Sequence, residues 1–188
     1  MIFAVPIGYS LSEDSFRGNS LAKTIIDIPI AFPEILLGLM LLMFFGMFNI
    51  GNEIVFTKVG IICAQFFVAL PYAIKTCYST FSQIDSRLKF VSRSLGHSEF
   101  DTFLNVVLPL SKKGLFASLI ISFLRCIGSF GAVLILGGGV YQKTDTLPVS
   151  LYLNLSYGNI KMAITSAIIL MLLSFITIFV IEKMEVHL

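Results

Sequence analysis

The sequence predicts an all-α protein that crosses a membrane several times, and three observations lead to this fold class. Of its 188 residues, 56% are hydrophobic and 13% are charged, whereas a soluble domain carries about 25% charge. The mean hydropathy is +0.92, and long apolar runs alternate with short polar segments. A compact core could not bury this much apolar surface, so lipid must cover the remainder.

Four apolar runs are long enough to predict full membrane helices. They are Thr24–Phe48, Ile54–Ile74, Leu115–Leu136 and Met162–Ile181. The stretch Met1–Leu11 is also apolar, but it is short for a span and lacks the basic region of a signal peptide. We therefore expect a partial N-terminal membrane helix followed by about four full ones, in a single domain of residues 1–188.

The first full run contains Pro29, Pro33 and Gly38, which would interrupt a soluble helix. Membrane helices tolerate such breaks where neighbouring groups satisfy the freed carbonyls, and the breaks often line a cavity. Glu34 lies about two turns beyond Asp27. A carboxylate at that depth needs a partner or water.

The longest polar segment, Asp85–Pro109, predicts two short helices separated by Gly96; we call it the polar hairpin. Its first helix is Ser86–Leu95, and the second begins at Ser98, where Asp101 can complete a capping box. Apolar residues recur at helical spacing in both helices, and they are Leu88, Val91 and Leu95 in the first and Phe100, Phe103, Leu104 and Val107 in the second. Such stripes need a partner, either this protein's own helix ends or a groove of another subunit. An ordinary solvated connector is the alternative.

The basic residues predict the orientation of the chain, because cytoplasmic loops are enriched in Lys and Arg. If the polar hairpin is cytoplasmic, only Lys58, Lys143 and Lys161 fall on the outer side. The inner side then holds Arg17, Lys23, Lys75, Arg87, Lys89, Arg93, Lys112, Lys113 and Lys183. This bias puts the hairpin and the C-terminus in the cytoplasm.

The residues do not suggest chemistry within this chain. The three cysteines have no CxxC spacing, and His97 lies alone in a polar segment, so no metal set is expected. No Gly-Lys-Ser/Thr loop for phosphate binding and no nucleophile–base arrangement is visible. The basic residues are scattered, which gives no reason to expect nucleic acid as a partner.

The polar hairpin resembles the cytoplasmic loop of binding-protein-dependent ABC importer permeases. That loop has the pattern Glu-Ala-Ala, three residues, Gly, nine residues, Ile-x-Leu-Pro. Gly96 takes the Gly position, Val106 the Ile position, and Leu108-Pro109 matches Leu-Pro. The Glu-Ala-Ala positions are instead occupied by Phe90, Val91 and Ser92.

Further segments resemble molybdate and sulfate permeases in the same order along the chain. They are PIAFPEILLG at 29–38, QFFVALP at 65–71, FLRCIGSFGAVLILGG at 123–138 and TDTLPVSLY at 144–152. Together they resemble a molybdate/tungstate permease, with sulfate or another anion as the near alternative. Members of this family have at least one more N-terminal helix, which we expect to be missing here.

The resemblance implies a multi-pass permease of the cytoplasmic membrane that forms a homodimer surrounded by lipid. Two separate ATP-binding subunits would hold ATP and Mg, and an extracytoplasmic binding protein would deliver the oxyanion, so this chain itself would bind no cofactor and would not be an enzyme. A membrane scaffold or a membrane-embedded enzyme is the less favoured class. The residues expected to dock on the ATPase are Phe90, Val91, Ser92, Gly96, His97, Phe100, Val106, Leu108 and Pro109.

Arg125 lies about ten residues into the predicted span Leu115–Leu136, and a charge at that depth is a candidate for function. It could attract an anion along the pathway, or it could be structural, joining helix ends or pairing with Glu34. The family pattern often has Glu one turn after this Arg, whereas here the position is Ser129. Arg125, Ser129 and Glu34 are therefore the candidates for the substrate pathway.

Overall fold

The structure is a computed structural model that describes residues 1–13, 18–48 and 51–187. Arg17, one of the basic residues assigned above to the inner side, lies outside the described residues. Helices account for the regular structure, and these ranges contain no strand. The helices are α1 (Ala4–Ser12), α2 (Asn19–Ala31), α3 (Glu34–Gly46), α4 (Gly51–Ile54), α5 (Lys58–Ser82), α6 (Ser86–Ser94), α7 (Glu99–Thr102), α8 (Leu108–Leu110), α9 (Lys112–Gly128), α10 (Gly131–Gly137), α11 (Leu147–Ser156) and α12 (Ile160–His187).

The predicted all-α membrane fold is confirmed, but within the described residues only two of the spans are continuous helices. α5 and the Ile160–Phe179 part of α12 are each long and apolar enough to cross a membrane. Two bent pairs also qualify if each pair counts as one span. The pair α2 and α3 is bent by 106°, and the segment Glu99–Leu110 followed by α9 is bent by 73°.

The first predicted span, Thr24–Phe48, is therefore broken rather than merely kinked. Pro33 disfavours helical geometry at the residue before it, and Phe32 is extended, with φ −83° and ψ 146°. α2 ends at Ala31, and α3 begins at Glu34 in a new direction. Pro29 does not interrupt α2, which continues for two residues beyond it.

The predicted span Leu115–Leu136 is also two helices. α9 ends at Gly128, and Ser129 leaves the helix with ψ 123° before α10 begins at Gly131. No proline lies near this break, so the sequence did not indicate it. Arg125 consequently lies in the last turn of α9 and not in the middle of a continuous helix.

α5 is the central helix of the fold, and it runs to Ser82 rather than to Ile74 as predicted. It contributes to two separate apolar cores. One core contains Ala64 and Val68 of α5 together with residues of α3 and α10. The other contains Ala73, Cys77 and Phe81 of α5 together with residues of α1. Residues 69–72 of α5 lie between the two cores along the chain.

Glycines allow the helices to approach closely, as is common between membrane helices. A Cβ atom on Gly8 of α1 would lie 2.7 Å from Cys77 Cβ of α5, and one on Gly114 of α9 would lie 2.3 Å from the Thr80 side chain. α3 and α10 are in similar contact, because a Cβ atom on Gly131 would lie 2.8 Å from the Ile35 backbone nitrogen. The two broken spans therefore meet near their breaks.

We predict that Gly131→Ala destabilises the protein, because the added methyl group would press on backbone that cannot rotate away. The expected cost is about 1–3 kcal/mol, visible as a lower midpoint of thermal unfolding in detergent. Gly46→Ala is the control, since a Cβ atom there meets nothing within 4 Å, and its midpoint should not fall. Equal midpoints for the two variants would contradict the close contact between α3 and α10.

Candidate functional site

The polar hairpin has the predicted helix–Gly–helix structure, and each turn is fixed by local hydrogen bonds. Asp85 caps α6 by accepting a hydrogen bond from the Arg87 backbone N–H at 2.9 Å. Gly96 follows α6 with φ +91°, a left-handed conformation that glycine adopts without strain. Ser98 and Asp101 form the predicted capping box at the start of α7.

The capping box is electrostatically favourable. The Ser98 backbone N–H and hydroxyl donate to Asp101 Oδ2 at 3.3 and 2.5 Å, and the Ser98 hydroxyl oxygen accepts from the Asp101 N–H. These donors hold the pKa of Asp101 below its ordinary value. The cap is therefore present at neutral pH and is lost only as acid protonates this carboxylate.

After α7 the chain forms a π-helical turn at Phe103–Val107, which sequence reasoning did not predict. The Leu108 N–H donates to the Phe103 carbonyl, one residue further back than in an α-helix. The next residue is Pro109, which has no N–H and crowds the preceding turn. Pro109 lies inside α8, which continues to Leu110, and the bend follows at Ser111.

The hairpin is anchored to the body of the protein by half of its second apolar stripe. Val107 is fully buried in the core that contains Phe81 of α5. The Phe103 ring lies 4.7 Å from the Tyr9 ring of α1 and 6.1 Å from the Phe81 ring. This half of the stripe finds its partner within the protein.

The two helices of the hairpin are joined by a buried hydrogen bond. Ser92 Oγ and Thr102 Oγ1 lie 3.0 Å apart, and both residues are buried. Ser92 was predicted to dock on a partner, but its hydroxyl instead faces the neighbouring helix. Its small side chain allows α6 and α7 to meet, which a local sequence pattern does not reveal.

The remaining predicted docking residues lie at or near the surface of the hairpin. Phe90 and Phe100 are each 69% exposed, and Val91 is 54% exposed. Such exposure of large apolar side chains in a polar segment indicates a surface for a partner. Gly96, His97 and Pro109 are also exposed, whereas Val106 and Leu108 are half-buried.

Lys89 is a residue that sequence reasoning missed, because it was counted only as a basic residue of the inner side. Its side chain is 8% exposed, and its Nζ lies 2.5 Å from Glu13 Oε1 at the end of α1. The same Nζ lies 5.5 Å from the centre of the Tyr9 ring. Nothing in the local pattern of α6 could have identified a partner that is 76 residues away.

Arg125 lies at the break between α9 and α10, stacked on a tyrosine of α5. Its guanidinium carbon is 4.1 Å from the centre of the Tyr72 ring, a cation–π contact. A cation in the last turn of a helix is also stabilised by the helix dipole. Arg125 forms no ion pair with Glu34, so this one of the structural alternatives considered for Arg125 is not observed.

Glu34 instead holds the start of α10. Its Oε2 accepts hydrogen bonds from the Phe130 backbone N–H at 3.2 Å and from the Ser129 hydroxyl at 3.4 Å. Glu34 and Arg125 nevertheless line one open cleft of about 330 Å³, together with Ile121, Leu124 and Gly128. The three predicted pathway residues thus come together at the two helix breaks.

The described residues contain no group of three or more His, Cys, Asp or Glu side chains that could hold a metal ion. The candidate site consists of the exposed apolar surface of the hairpin and the charged cleft at the helix breaks.

Residues 4–185 match the family model of binding-protein-dependent transport system inner membrane components.

The chain belongs to this family. Among curated relatives, the molybdate/tungstate transport system permease protein WtpB of Pyrococcus abyssi is 38% identical over 158 residues, which are 84% of this chain and 60% of that protein. A protein of Haloferax volcanii, named as a probable molybdenum ABC transporter permease, is 33% identical over 89% of this chain and 62% of its own length.

A probable sulfate transport system permease of Chlorella vulgaris is 30% identical over 93% of this chain and 69% of its own length. The chain thus spans about 60% of the length of the molybdate/tungstate relatives that it matches. The resemblance inferred from the hairpin and the ordered segments is confirmed at the level of the family.

We predict that Ser92→Ala loosens the hairpin, because Thr102 would keep a buried hydroxyl without its present partner. Such a loss costs about 1–3 kcal/mol, and hydrogen–deuterium exchange across residues 86–102 should become faster. Ser94→Ala is the matched control, since the Ser94 hydroxyl is exposed and bonds only to Phe90 O within α6. Similar exchange in both variants would contradict a joining role for Ser92.

Proposed function

We propose that this chain is the membrane permease subunit of an ABC importer that moves molybdate or tungstate into the cell. The observation that carries the proposal is the 38% identity to the WtpB protein over 84% of this chain. ATP hydrolysis belongs to a separate partner subunit, and this chain supplies the membrane path and the docking hairpin.

The cleft at the helix breaks supports transport of an anion. The Arg125 side chain is exposed to the cleft, and Glu34 is engaged by the Ser129 hydroxyl and the Phe130 N–H. The positive charge of Arg125 is thus held by an aromatic ring rather than neutralised by a carboxylate. A guanidinium can bind an oxyanion with two parallel hydrogen bonds.

A polar side of α5 continues from this cleft towards the hairpin. Tyr72, Thr76 and Ser79 of α5, with Gln83 directly after this helix, recur at helical spacing on one side. Thr76, Ser79 and Gln83 line a second open cleft of about 540 Å³ together with Lys113 of α9. Polar side chains within a membrane span normally face a cavity or the interior of the bundle, so we propose that this side of α5 borders the pathway.

The distribution of basic residues supports a cytoplasmic hairpin and a cytoplasmic C-terminus. The hairpin then presents Phe90, Val91 and Phe100 to an ATP-binding subunit. ATP and Mg bind to two such subunits, one for each copy of a permease homodimer embedded in lipid. An extracytoplasmic binding protein delivers the oxyanion on the opposite side. This chain binds neither cofactor nor nucleic acid.

Sulfate is the second candidate substrate, because the Chlorella vulgaris relative is named as a sulfate permease. Sulfate, molybdate and tungstate are all tetrahedral dianions, and Arg125 offers each of them the same hydrogen bonds. Competition between sulfate and molybdate for uptake distinguishes these substrates.

We predict that Arg125→Gln lowers molybdate uptake by about tenfold or more, because a hydrogen bond to a charged group contributes about 1.5–3 kcal/mol. The measurement is uptake of radiolabelled molybdate by proteoliposomes that contain the full-length permease and its ATP-binding subunit, with the extracytoplasmic oxyanion-binding protein present. The amount of assembled complex is quantified for each variant.

Lys161→Gln is the control for this prediction, since Lys161 is exposed at the start of α12 and does not line the cleft. Its uptake should equal that of the unaltered complex. Unchanged uptake in Arg125→Gln at an equal amount of complex would rule out a pathway role for Arg125. Absence of molybdate, tungstate and sulfate uptake by the unaltered complex would contradict the proposed function itself.

A further inference from the structure

A partly buried ion pair joins the polar hairpin to the first helix of the chain. Lys89 of α6 and Glu13 at the end of α1 are 2.5 Å apart at Nζ and Oε1, and 8% of the Lys89 side chain and 28% of the Glu13 side chain are exposed. We propose that this Lys89–Glu13 ion pair transmits movement of the hairpin to the membrane helices. Lys89 and Glu13 are then positioning residues, and their role rests on the proposed function of the hairpin.

The burial of the Lys89 side chain makes this ion pair difficult to separate. A buried charge that loses its partner pays a large desolvation penalty, so removing one member of such a pair is strongly destabilising. An exposed pair, by contrast, exchanges its partner for water at little cost. When a partner subunit displaces the hairpin, the end of α1 must therefore follow Lys89.

The Tyr9 ring of α1 contacts α6, the π-helical turn and α5. The Lys89 ammonium lies 5.5 Å from the centre of its ring. The ring also lies 4.7 Å from Phe103 of the hairpin and 5.5 Å from Phe81 of α5. The ion pair and this aromatic contact hold the hairpin at two places, one at α6 and the other after α7.

α1 is in turn packed tightly on α5. Gly8 lies against the backbone of Cys77 and Tyr78 so closely that a Cβ atom there would be 2.9 Å from the Tyr78 nitrogen. Cys77 is five residues from Tyr72, a distance of about 7.5 Å along the helix axis. Tyr72 supports Arg125, so contacts run without interruption from Lys89 to the cleft.

The same ion pair could instead serve stability alone, and the two roles predict different results. A stabilising pair would affect the amount of complex and its unfolding temperature. A transmitting pair would also change how many ATP molecules are hydrolysed for each anion transported. The ratio of ATP hydrolysis to uptake therefore separates the two roles.

The experiment uses the full-length permease assembled with its ATP-binding subunit in proteoliposomes, with the oxyanion-binding protein present and molybdate as the probe. Lys89→Met keeps most of the length of the unbranched side chain but removes its charge. We expect uptake per ATP hydrolysed to fall about tenfold, a typical magnitude for coupling between sites. Lys89→Arg preserves the charge and should retain coupling.

A charge exchange tests the pair directly. Lys89→Glu alone and Glu13→Lys alone each oppose like charges and should uncouple the complex. The double variant restores opposite charges and should recover a large part of the coupling. Asp27→Asn is the matched control, because the exposed Lys75–Asp27 pair at 2.8 Å also joins two helices; its coupling should change by less than about twofold.

Normal uptake per ATP in Lys89→Met would overturn the proposal, and so would failure of the charge exchange to restore a lost coupling. If the single variants do not assemble, the exchange at residues 9–13 of the unaltered complex decides, and an exchange there that does not respond to nucleotide overturns the proposal. Hydrogen–deuterium exchange at residues 9–13 gives a reading that needs no transport. A non-hydrolysable ATP analogue should alter exchange there in the unaltered complex but not in Lys89→Met.

The exchange measurement at residues 9–13 tests the role of the ion pair separately from the proposed function. If the unaltered complex transports no oxyanion, the proposed function is wrong, yet the exchange at residues 9–13 still reports whether α1 responds to nucleotide. If the unaltered complex transports molybdate and the exchange does not depend on Lys89, the inference alone is wrong.

Discussion

Close contact between α5 and its neighbours is the constraint on which the rest of the structure depends. Lipid surrounds a membrane protein with apolar material, so apolar burial alone cannot hold its helices together, and close packing takes its place. Gly8 and Gly114 bring α1 and α9 onto α5 at distances that a side chain would prevent. Because α5 passes through both apolar cores, these contacts fix the hairpin at one end and the helix breaks further along.

The apolar side chains of the polar hairpin are divided between the interior of the protein and its surface. Phe103 and Val107 are drawn into the body of the protein, where they contact Tyr9 and Phe81. Phe90 and Phe100 remain exposed. A segment that was entirely buried could not receive a partner, and one that was entirely exposed could not transmit force. This division within a single pair of short helices is what the proposed function requires, because in it the hairpin docks on a partner subunit and moves the membrane helices.

The features of the hairpin that follow local rules could be predicted from the sequence. Gly96, Ser98 and Asp101 determine a turn and a cap through residues that are at most three positions apart, and the structure has both. The fold class followed from the hydrophobic content, which requires lipid. The resemblance at Gly96, Val106 and Pro109 led to the family.

The features that depend on distant contacts could not be predicted. At the break, the Ser129 hydroxyl bonds to Glu34, which is 95 residues away. No proline near Ser129 indicates this break in the sequence. The burial of Ser92 and Lys89 depends on Thr102 and Glu13, and a pattern of apolar spacing says nothing about either. Proline at position 33 indicated a kink, but the angle of 106° depends on how α3 packs on α10.

We propose that the exposed face of the polar hairpin receives the ATP-binding subunit. The most direct measurement places a photo-reactive cross-linking residue at Phe100 of the hairpin and, separately, at Tyr157, which is 79% exposed at the end of α11. We predict that illumination of the assembled complex joins the ATP-binding subunit to position 100 and not to position 157. A cross-link from position 157, or none from position 100, would contradict the claim.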